Sequence, residues 1–351
     1  MGQLNRRQVV GGALALPLWA CGNVTTAGAA GVALLLPLTG DSADLGRNMA
    51  RAAALAATGR AAEALPISYD TGDTAEGAAA AATRALTAGA RLLIGPLRSD
   101  QTPAVLAVAG AVPVVTFSND DALAGRGAFV LGMTALQSVA AMFSYAAAQG
   151  IKRLAVVARD GPLGAASIDA AVRIAQAGGL LVSATVLRDP SAPGLVQALR
   201  KASGGTLPQA VFLPDGGAAL AGFAGGLQGS TMQIMGSVQW GIGDVAGNPG
   251  LEGAWFAAPP PAAFQPFSDR FIAHYGVEPG VVAALGYDAA VLGLTLGDGH
   301  ALTKRGIARS GGFAGALGRF RFHSDRLCHR DLAVLGVQAQ RIVVLAEVAG
   351  T

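Results

Sequence analysis

The sequence predicts an α/β protein with two lobes, each a parallel β-sheet flanked by helices, and three observations lead to this prediction. Short, uninterrupted apolar runs alternate with longer Ala-rich segments, which is typical of buried parallel strands joined by crossover helices. The alternation starts anew after Met133, so the chain contains two similar halves. Of the 351 residues, 52% are hydrophobic and 13% are charged. This composition can bury sizeable cores and excludes an intrinsically disordered chain.

The first half alternates strands and helices from residue 32 onward. Val32–Leu36 is a continuous apolar run that stops at Pro37, as expected of a strand buried on both faces. Thr74 precedes the second helical segment as an N-cap and Gly89 follows its end, which are usual start and stop signals of a helix. The other strands predicted here are 65–70, 91–94 and 112–117, and the helices are 43–58, 76–87 and a third, capped by Ser99 or Asp100, that runs to residue 108.

The second half repeats this rhythm and is followed by a return segment. The predicted strands of the second half are 153–158, 180–187, 210–213, 232–235 and 254–258, and its helices are 135–149, 164–176, 193–202 and 218–227. Three consecutive prolines at 259–261 form a rigid crossing segment. Helices at 266–275 and 281–296 follow it, and strands at 318–322, 332–337 and 341–348 end the chain.

The chain is therefore expected to cross between the lobes more than once. We assign residues 31–133 and 259–318 to lobe 1, and residues 134–258 and 319–351 to lobe 2. Ligands of open α/β sheets bind outside the carboxyl ends of the strands. The cleft between the two lobes is thus the predicted binding site.

The N-terminus has the pattern of an export signal. Arg6 and Arg7 precede an apolar segment, 9–20, that is too short to span a bilayer and suits a signal peptide. Its end, Leu18-Trp19-Ala20-Cys21, resembles a bacterial lipobox, so residues 1–20 are a predicted signal peptide and Cys21 a predicted lipidation site. Residues 21–30 would form a lipidated tether. The expected location is the periplasm, anchored in the outer or the inner membrane, and the twin-arginine and general export routes both stay open.

Charge and reactive residues argue against several function classes. Lys and Arg number 25 against 22 acidic residues, without the basic stripe that nucleic-acid binding requires. No serine stands in a Gly-x-Ser-x-Gly frame, and no phosphate-binding loop is present. The spacing of His323, Cys328 and His329 matches no common zinc pattern. We expect a protein that is not an enzyme, with no metal, no cofactor and no nucleic-acid partner.

Four stretches resemble the type I periplasmic-binding fold, in the branch of the leucine/isoleucine/valine-binding proteins. They are Val-Ala-Leu-Leu-Leu-Pro-Leu-Thr-Gly at 32–40, Ser-Tyr-Asp-Thr-Gly at 68–72, Leu-Ile-Gly-Pro-Leu-Arg-Ser at 93–99 and Pro-Val-Val-Thr-Phe-Ser-Asn at 113–119. Residues 145–151, 285–289, 318–322 and 330–334 look closer to the lipoproteins that activate penicillin-binding proteins.

This resemblance implies two functions. The first is a regulator of peptidoglycan synthesis that contacts a penicillin-binding protein and does no chemistry. The alternative is a solute-binding protein that delivers an amino acid or another small polar ligand to an ABC permease by hinge closure. A ligand-induced rise in melting temperature would favour the alternative. A third reading, a hydrolase, would need Ser99 or Ser118 as a nucleophile.

The resemblance also implies a set of ligand-binding residues. In amino-acid receptors of this branch, lobe 1 holds the α-carboxylate with small hydroxyl residues and backbone groups after its third and fourth strands, and lobe 2 supplies an acid for the α-ammonium. Here Asp100 would repel a carboxylate, and Gln239 stands where the acid is expected. The candidates are Thr39, Ser99, Asp100, Gln101, Ser118 and Asn119 from lobe 1, and Asp160, Asp215, Gln239 and Trp240 from lobe 2. Each could instead be a cap or loop residue.

Overall fold

A computed structural model describes residues 31–61, 65–241, 245–309 and 311–350. The predicted signal peptide, the tether and Cys21 lie outside these residues. The strands are β1 Val32–Leu36, β2 Ile67–Asp70, β3 Leu92–Ile94, β4 Val114–Thr116, β5 Phe129–Val130, β6 Arg153–Ala158, β7 Leu181–Leu187, β8 Ala210–Leu213, β9 Gln233–Gly236, β10 Trp255–Ala258, β11 Phe313–Gly315, β12 Gly318–Phe322, β13 Cys328–Arg330, β14 Leu332–Gln338 and β15 Arg341–Val348. The α-helices are α1 Ala43–Ala56, α2 Ala75–Thr87, α3 Thr102–Ala109, α4 Ala122–Gly125, α5 Ala135–Ala148, α6 Pro162–Gly178, α7 Leu195–Ala202, α8 Gly217–Gly226, α9 Pro261–Tyr275, α10 Gly280–Asp298 and α11 Lys304–Ile307.

The first sheet has five parallel strands in the order β2-β1-β3-β4-β5. Its strand β1 is buried along its whole length. Leu34 and Leu36 pack into one core cluster, while Ala33 and Leu35 pack into another on the opposite face. Successive side chains of a strand point to opposite faces. The unbroken apolar run therefore places helices on both sides of this sheet, as the sequence predicts.

The second sheet has seven strands in the order β15-β14-β10-β9-β8-β6-β7. Strands β6 to β10 run parallel to one another, and β14 and β15 are added as antiparallel strands on one side. The C-terminal hairpin thus returns to the half of the molecule that begins at α5. Both sheets confirm the predicted α/β fold class.

A third, small sheet with the order β11-β12-β13 joins the returning chain to both halves. The amide of Val130 in β5 donates to the carbonyl of Arg326 over 2.9 Å. Gln137 at the start of α5 donates a side-chain hydrogen bond to the carbonyl of Cys328. The boundary predicted after residue 318 falls after the first residue of β12, inside this sheet. The exact lobe boundaries stay a prediction.

Helix α10 is the one described helix that is long and apolar enough to cross a membrane by length and composition alone. It packs along α1, and Gly286 lies so close to it that an added Cβ would stand 2.3 Å from the carbonyl oxygen of Met49. It also carries Asp288, whose fully buried carboxylate accepts a 2.6 Å hydrogen bond from Arg330 in β13. Such contacts mark α10 as a core helix.

The structure corrects one predicted element and adds several. Helix α9 starts at Pro261, five residues before the predicted start, so the triple proline is not wholly a crossing segment. Proline is well accepted at the first helical position because its missing N–H has no partner there. The short elements α4, α11, β5, β11 and β13 were not predicted, since two to four residues are too few to display a period.

Candidate ligand-binding cleft

A cleft of about 840 Å³ lies at the carboxyl ends of β3, β4 and β5 from the first sheet and of β9 from the second. The beginning of α10 completes its wall through residues 279–282 and Leu285. Strands of two parallel sheets therefore present their carboxyl ends to one cavity, as open α/β sheets do at their binding sites.

Buried hydroxyl groups hold the loops after β3 and β4 together. The Thr116 hydroxyl donates to the carbonyl of Pro96 over 3.1 Å and lies 2.9 Å from the hydroxyl of Thr102. The amide of Phe117 donates to the same Pro96 carbonyl over 3.0 Å. These bonds fix the segments that carry Ser99 and Ser118 into the cleft wall.

Gly132, in the loop after β5, allows this loop to pack closely against the loop after β4. A Cβ at this position would lie 2.3 Å from the carbonyl oxygen of Ser118 and 2.4 Å from that of Phe117. The loop can therefore press against the backbone of the β4 loop only because this residue has no side chain. Met133, which follows it, is buried and forms part of the cleft floor.

The wall from the second sheet is built on the loop after β9. The Ser237 hydroxyl donates to the carbonyl of Pro214 over 2.6 Å and accepts the amide of Gln239 over 3.0 Å. Ser138 of α5 accepts the amide of Val238 over 3.3 Å. Val238, Gln239 and Gly241 face the cavity in this arrangement.

Most of the lining is apolar. Phe117, Val238 and Leu285 are buried, whereas Leu45, at the mouth, is 45% exposed. The remaining apolar side chains of the wall are Leu97, Met133, Val281 and Val282. A largely apolar cavity with a few polar groups is the usual form of a small-molecule site.

Charged groups gather at the mouth on the side of the first sheet. Arg98 donates from Nε to Asp100 over 3.3 Å, and both side chains are exposed. The hydrogen bond and charge of Asp100, with further charge from Asp73 and Asp41, hold the pKa of Arg98 above its usual value. Partial burial raises the pKa of Asp73, but hydrogen bonds from Ser42 and Gln101 and the charge of Arg98 outweigh it, so the pKa lies below its usual value. Asp73 is therefore a carboxylate at neutral pH.

Five of the ten predicted site residues line the cleft. Ser99, Asp100, Ser118, Asn119 and Gln239 do so. The hydroxyl of Ser118 also accepts the amide of Asp120 over 3.0 Å, so it serves its own loop as well. Whether these residues bind a ligand stays a prediction.

Two further candidates, both on the side of the first sheet, serve the fold. The Thr39 hydroxyl donates to Asp70 over 2.7 Å. Gln101 is buried and donates from its side-chain amide to Asp73 over 3.2 Å. Neither is part of the cleft lining.

Three lobe 2 candidates also lie outside the lining. Trp240 is fully buried, donates from Nε1 to the carbonyl of Leu213 over 2.9 Å and stacks on Phe256. Asp215 is buried and accepts both the amide and the Nε of Arg159, each over 2.9 Å. Asp160 is exposed beside this pair. In this structure Trp240 anchors the β9 loop in the core, and Asp215 secures the loop after β6.

Sequence reasoning missed the contribution of α10 and the charge of Arg98. Arg98 directly precedes Ser99, so its place after a predicted strand was a usable signal. Nothing local marks Val281, Val282 and Leu285, which reach the cleft because α10 packs along α1. Within the described residues, no group of three His, Cys, Asp or Glu side chains is arranged to hold a metal ion.

Comparison with known proteins gives one family and many similar folds. Residues 30–326 match the periplasmic binding protein family. No curated protein sequence matches the chain. A candidate branched-chain amino acid ABC transporter of Rhodospirillum rubrum is 22% identical, with a TM-score of 0.78, over 90% of this chain and 99% of that one.

Two ligand complexes are also similar. The ABC transporter substrate-binding protein of Desulfitobacterium hafniense, solved with leucine, is 19% identical, with a TM-score of 0.68, over 90% of this chain and 99% of that one. A solute-binding protein of an ABC transporter from Rhodopseudomonas palustris, solved with 3,4-dihydroxybenzoic acid, is 20% identical, with a TM-score of 0.69, over 91% of this chain and 97% of that one. At such identities the likeness establishes a common fold.

Proposed function

This chain belongs to the periplasmic binding protein family, and we propose that it is the solute-binding component of an ABC importer. Membership confirms the predicted type I fold of the leucine-binding branch and places the chain in the periplasm. The proposed role is reversible binding of one small solute between the two sheets, followed by presentation of the closed form to a permease. No covalent step is involved.

The observation that carries this proposal is the cleft itself. Its volume of about 840 Å³ suits a small organic molecule. Loops from both sheets line it, so a bound solute would contact both halves and favour the closed arrangement. Apolar side chains supply most of the contact, and Ser99, Asn119 and Gln239 offer hydrogen bonds to a polar end.

The comparisons support this function better than the penicillin-binding-protein activator that the sequence resemblance placed first. The similar structures are those of transporter components solved with small ligands. The activator reading rests on residues 145–151, 285–289, 318–322 and 330–334. Two of these stretches have structural duties, since Asp288 and Arg330 form the buried ion pair.

We further propose that the mature chain is anchored to a membrane through an acylated Cys21. The pattern Leu18-Trp19-Ala20-Cys21 supports this. Two or more acyl chains hold a protein stably at a bilayer. Intact-mass analysis of the envelope protein should then give a chain that starts at residue 21 and carries added lipid, and a Cys21→Ser variant should lose the lipid.

A melting screen tests the solute-binding function. Protein freed of co-purified solute is heated with amino acids, aromatic acids, amides and amines, one at a time. A solute at one hundred times its Kd should stabilise the fold by about 2.7 kcal/mol, which raises Tm by several degrees. Capture of a peptidoglycan synthase from the envelope, with no thermal shift from any solute, would instead favour the activator.

A further inference from the structure

We infer that the solute taken by this cleft has no negative charge: it is an uncharged or amine-bearing molecule with an apolar body. This inference rests on the proposed function and concerns the same cavity. It separates the chain from the similar proteins solved with leucine and with 3,4-dihydroxybenzoic acid, because both of those ligands carry a carboxyl group.

The first argument is that the one cation among the described lining residues is already paired with an acid. Among the lining residues that the structure describes, Arg98 is the one cation and Asp100 the one anion, and they bind each other over 3.3 Å. An anionic solute would have to compete with Asp100 for the guanidinium and would lie close to its carboxylate. Like charges that share a site repel each other, and the repulsion strengthens where water is excluded.

The second argument is the electrostatic field at the mouth of the cleft. Asp73 and Asp41 act on the Arg98 guanidinium in addition to Asp100. Asp73 is held in place by the amide of Ser42 over 3.0 Å and by the side-chain amide of Gln101 over 3.2 Å. Negative charges therefore outnumber the single guanidinium in this part of the mouth, and the excess repels an incoming anion and attracts a cation.

The opposite wall does not reverse this balance. Its described lining residues, Val238, Gln239 and Gly241, carry no charge. Arg159, the cation that follows β6, lies outside the lining and is bound to the buried carboxylate of Asp215 over 2.9 Å. The N-terminus of α10 also faces the cavity, but a helix end supplies only a partial charge.

The apolar side chains of the lining indicate that the body of the ligand is apolar. Leu97, Phe117, Met133, Val282 and Leu285 offer a surface for a hydrocarbon or aromatic body. The side chains of Asn119 and Gln239 can both donate and accept, which suits an amide, a hydroxyl or an amine at the polar end.

Solutes of equal shape and different charge test this inference. Benzamide, benzoate and benzylammonium form one series, and isovaleramide, isovalerate and isoamylammonium form a second. Titration calorimetry on the whole mature protein should give affinities for the neutral or cationic member at least about tenfold above those for the anion in the series that fits. Tighter binding of benzoate or isovalerate than of their partners would overturn the inference and leave the proposed function intact. If none of the six binds, the comparison is repeated with the solute that raises Tm in the melting screen and its charge variants: an anion that binds best would overturn the inference alone, and no thermal shift from any solute would count against the proposed function.

Two variants sharpen the test. Asp100→Asn releases Arg98 from its partner, so the ratio of benzoate to benzamide affinity should rise by about tenfold. Arg98→Gln should raise the ratio of benzylammonium to benzamide affinity instead. Asp169→Asn is the matched control, because it removes the carboxylate of an exposed ion pair with Arg173 that lies outside the cleft. An unchanged ratio in Asp100→Asn would contradict the assigned role of the pair.

Discussion

At the scale of single residues, Asp288 and Arg330 form a fully buried ion pair between α10 and β13. The carboxylate also accepts the amide of Ala316 over 2.6 Å, and the guanidinium lies over the ring of Phe320. Burial lowers the pKa of Arg330, but the charges of Asp288 and Cys328 and the hydrogen bonds to both side chains together outweigh it, so the pKa lies above its usual value and the group stays protonated. The pair thus ties the returning chain to the helix that forms part of the cleft wall.

Arg330→Met should destabilise the protein by about 3–5 kcal/mol, because it leaves the carboxylate buried without its partner. Urea denaturation measures the loss. Adding Asp288→Asn to this variant should restore part of the stability, since the buried charge is then gone. Arg60→Met, which breaks the exposed pair with Asp298, should cost less than about 1 kcal/mol. Equal losses in the two single variants would argue against this account.

Residue-level prediction from sequence succeeded where a side chain directly follows a strand. Ser99, Asp100 and Ser118 were placed at the cleft because the ends of β3 and β4 could be read from their apolar runs. Trp240, also a predicted site residue, lies outside the cleft lining because a 3₁₀ turn at Val238–Gly241 directs it into the core. Its ring then lies over Gly236, where an added Cβ would be 2.0 Å from the indole. A turn of four residues has no periodic signature.

At the scale of elements, the contact between α1 and α10 sets the position of the cleft wall. Gly286 lets the two helices approach until backbone meets backbone. Gly46, at the start of α1, allows an equally close contact with the loop after β1, because a Cβ there would lie 2.0 Å from the carbonyl oxygen of Pro37. Small residues at these positions were visible in the sequence, but their partners were not, because a contact between helices as far apart in the chain as residues 49 and 286 leaves no local pattern.

Gly286→Ala should destabilise the protein by about 1–3 kcal/mol, as an added methyl group forces packed helices apart. It should also weaken solute binding, since Val281, Val282 and Leu285 move with α10. Chemical denaturation and calorimetry provide the two readouts. Gly225→Ala in α8 is the control, since nothing lies within 4 Å of the new methyl group. That variant should be neutral or stabilised by up to about 1 kcal/mol.

The turn between β12 and β13 predicts a pH dependence. Burial, followed by the charges of His329 and Arg321, lowers the pKa of His323 below its usual value of 6.5. Below that pH the unfolded chain binds a proton that the folded chain resists, so the contribution of His323 to stability is complete above pH 6.5 and is lost as the pH falls through the folded pKa. His323→Gln should therefore flatten the decline in stability between pH 7 and pH 5. The exposed His300, changed to Asn, should leave the decline as it is.

At the scale of the whole molecule, two sheets face each other across a cavity that both of them line. Solutes that contact both sides favour the closed arrangement by their differential affinity for it. Small-angle X-ray scattering should therefore show a smaller radius of gyration when a bound solute saturates the cleft. An unchanged scattering curve at saturation would mean that binding occurs without hinge closure.

The two-lobed arrangement was the most predictable level of this protein. Continuous apolar runs such as Val32–Leu36 are buried along their whole length only in sheets that are covered on both faces. The right-handed crossover rule then leaves few possible strand orders. The two C-terminal strands were also predicted from the sequence, at 332–337 and 341–348, and they correspond to β14 and β15 of the second sheet. The small sheet of β11, β12 and β13 did not, because its strands are three to five residues long.

The strand order has a practical consequence. The described chain enters through β1, in the first sheet, and leaves through β15, at the edge of the second. Fluorescent reporters fused before residue 31 and after residue 350 would therefore be attached to the halves that contain the first and the second sheet. Hinge closure on solute binding would change the distance between the two reporters and therefore the energy transfer between them. The fusion protein would then act as a fluorescent sensor for the solute.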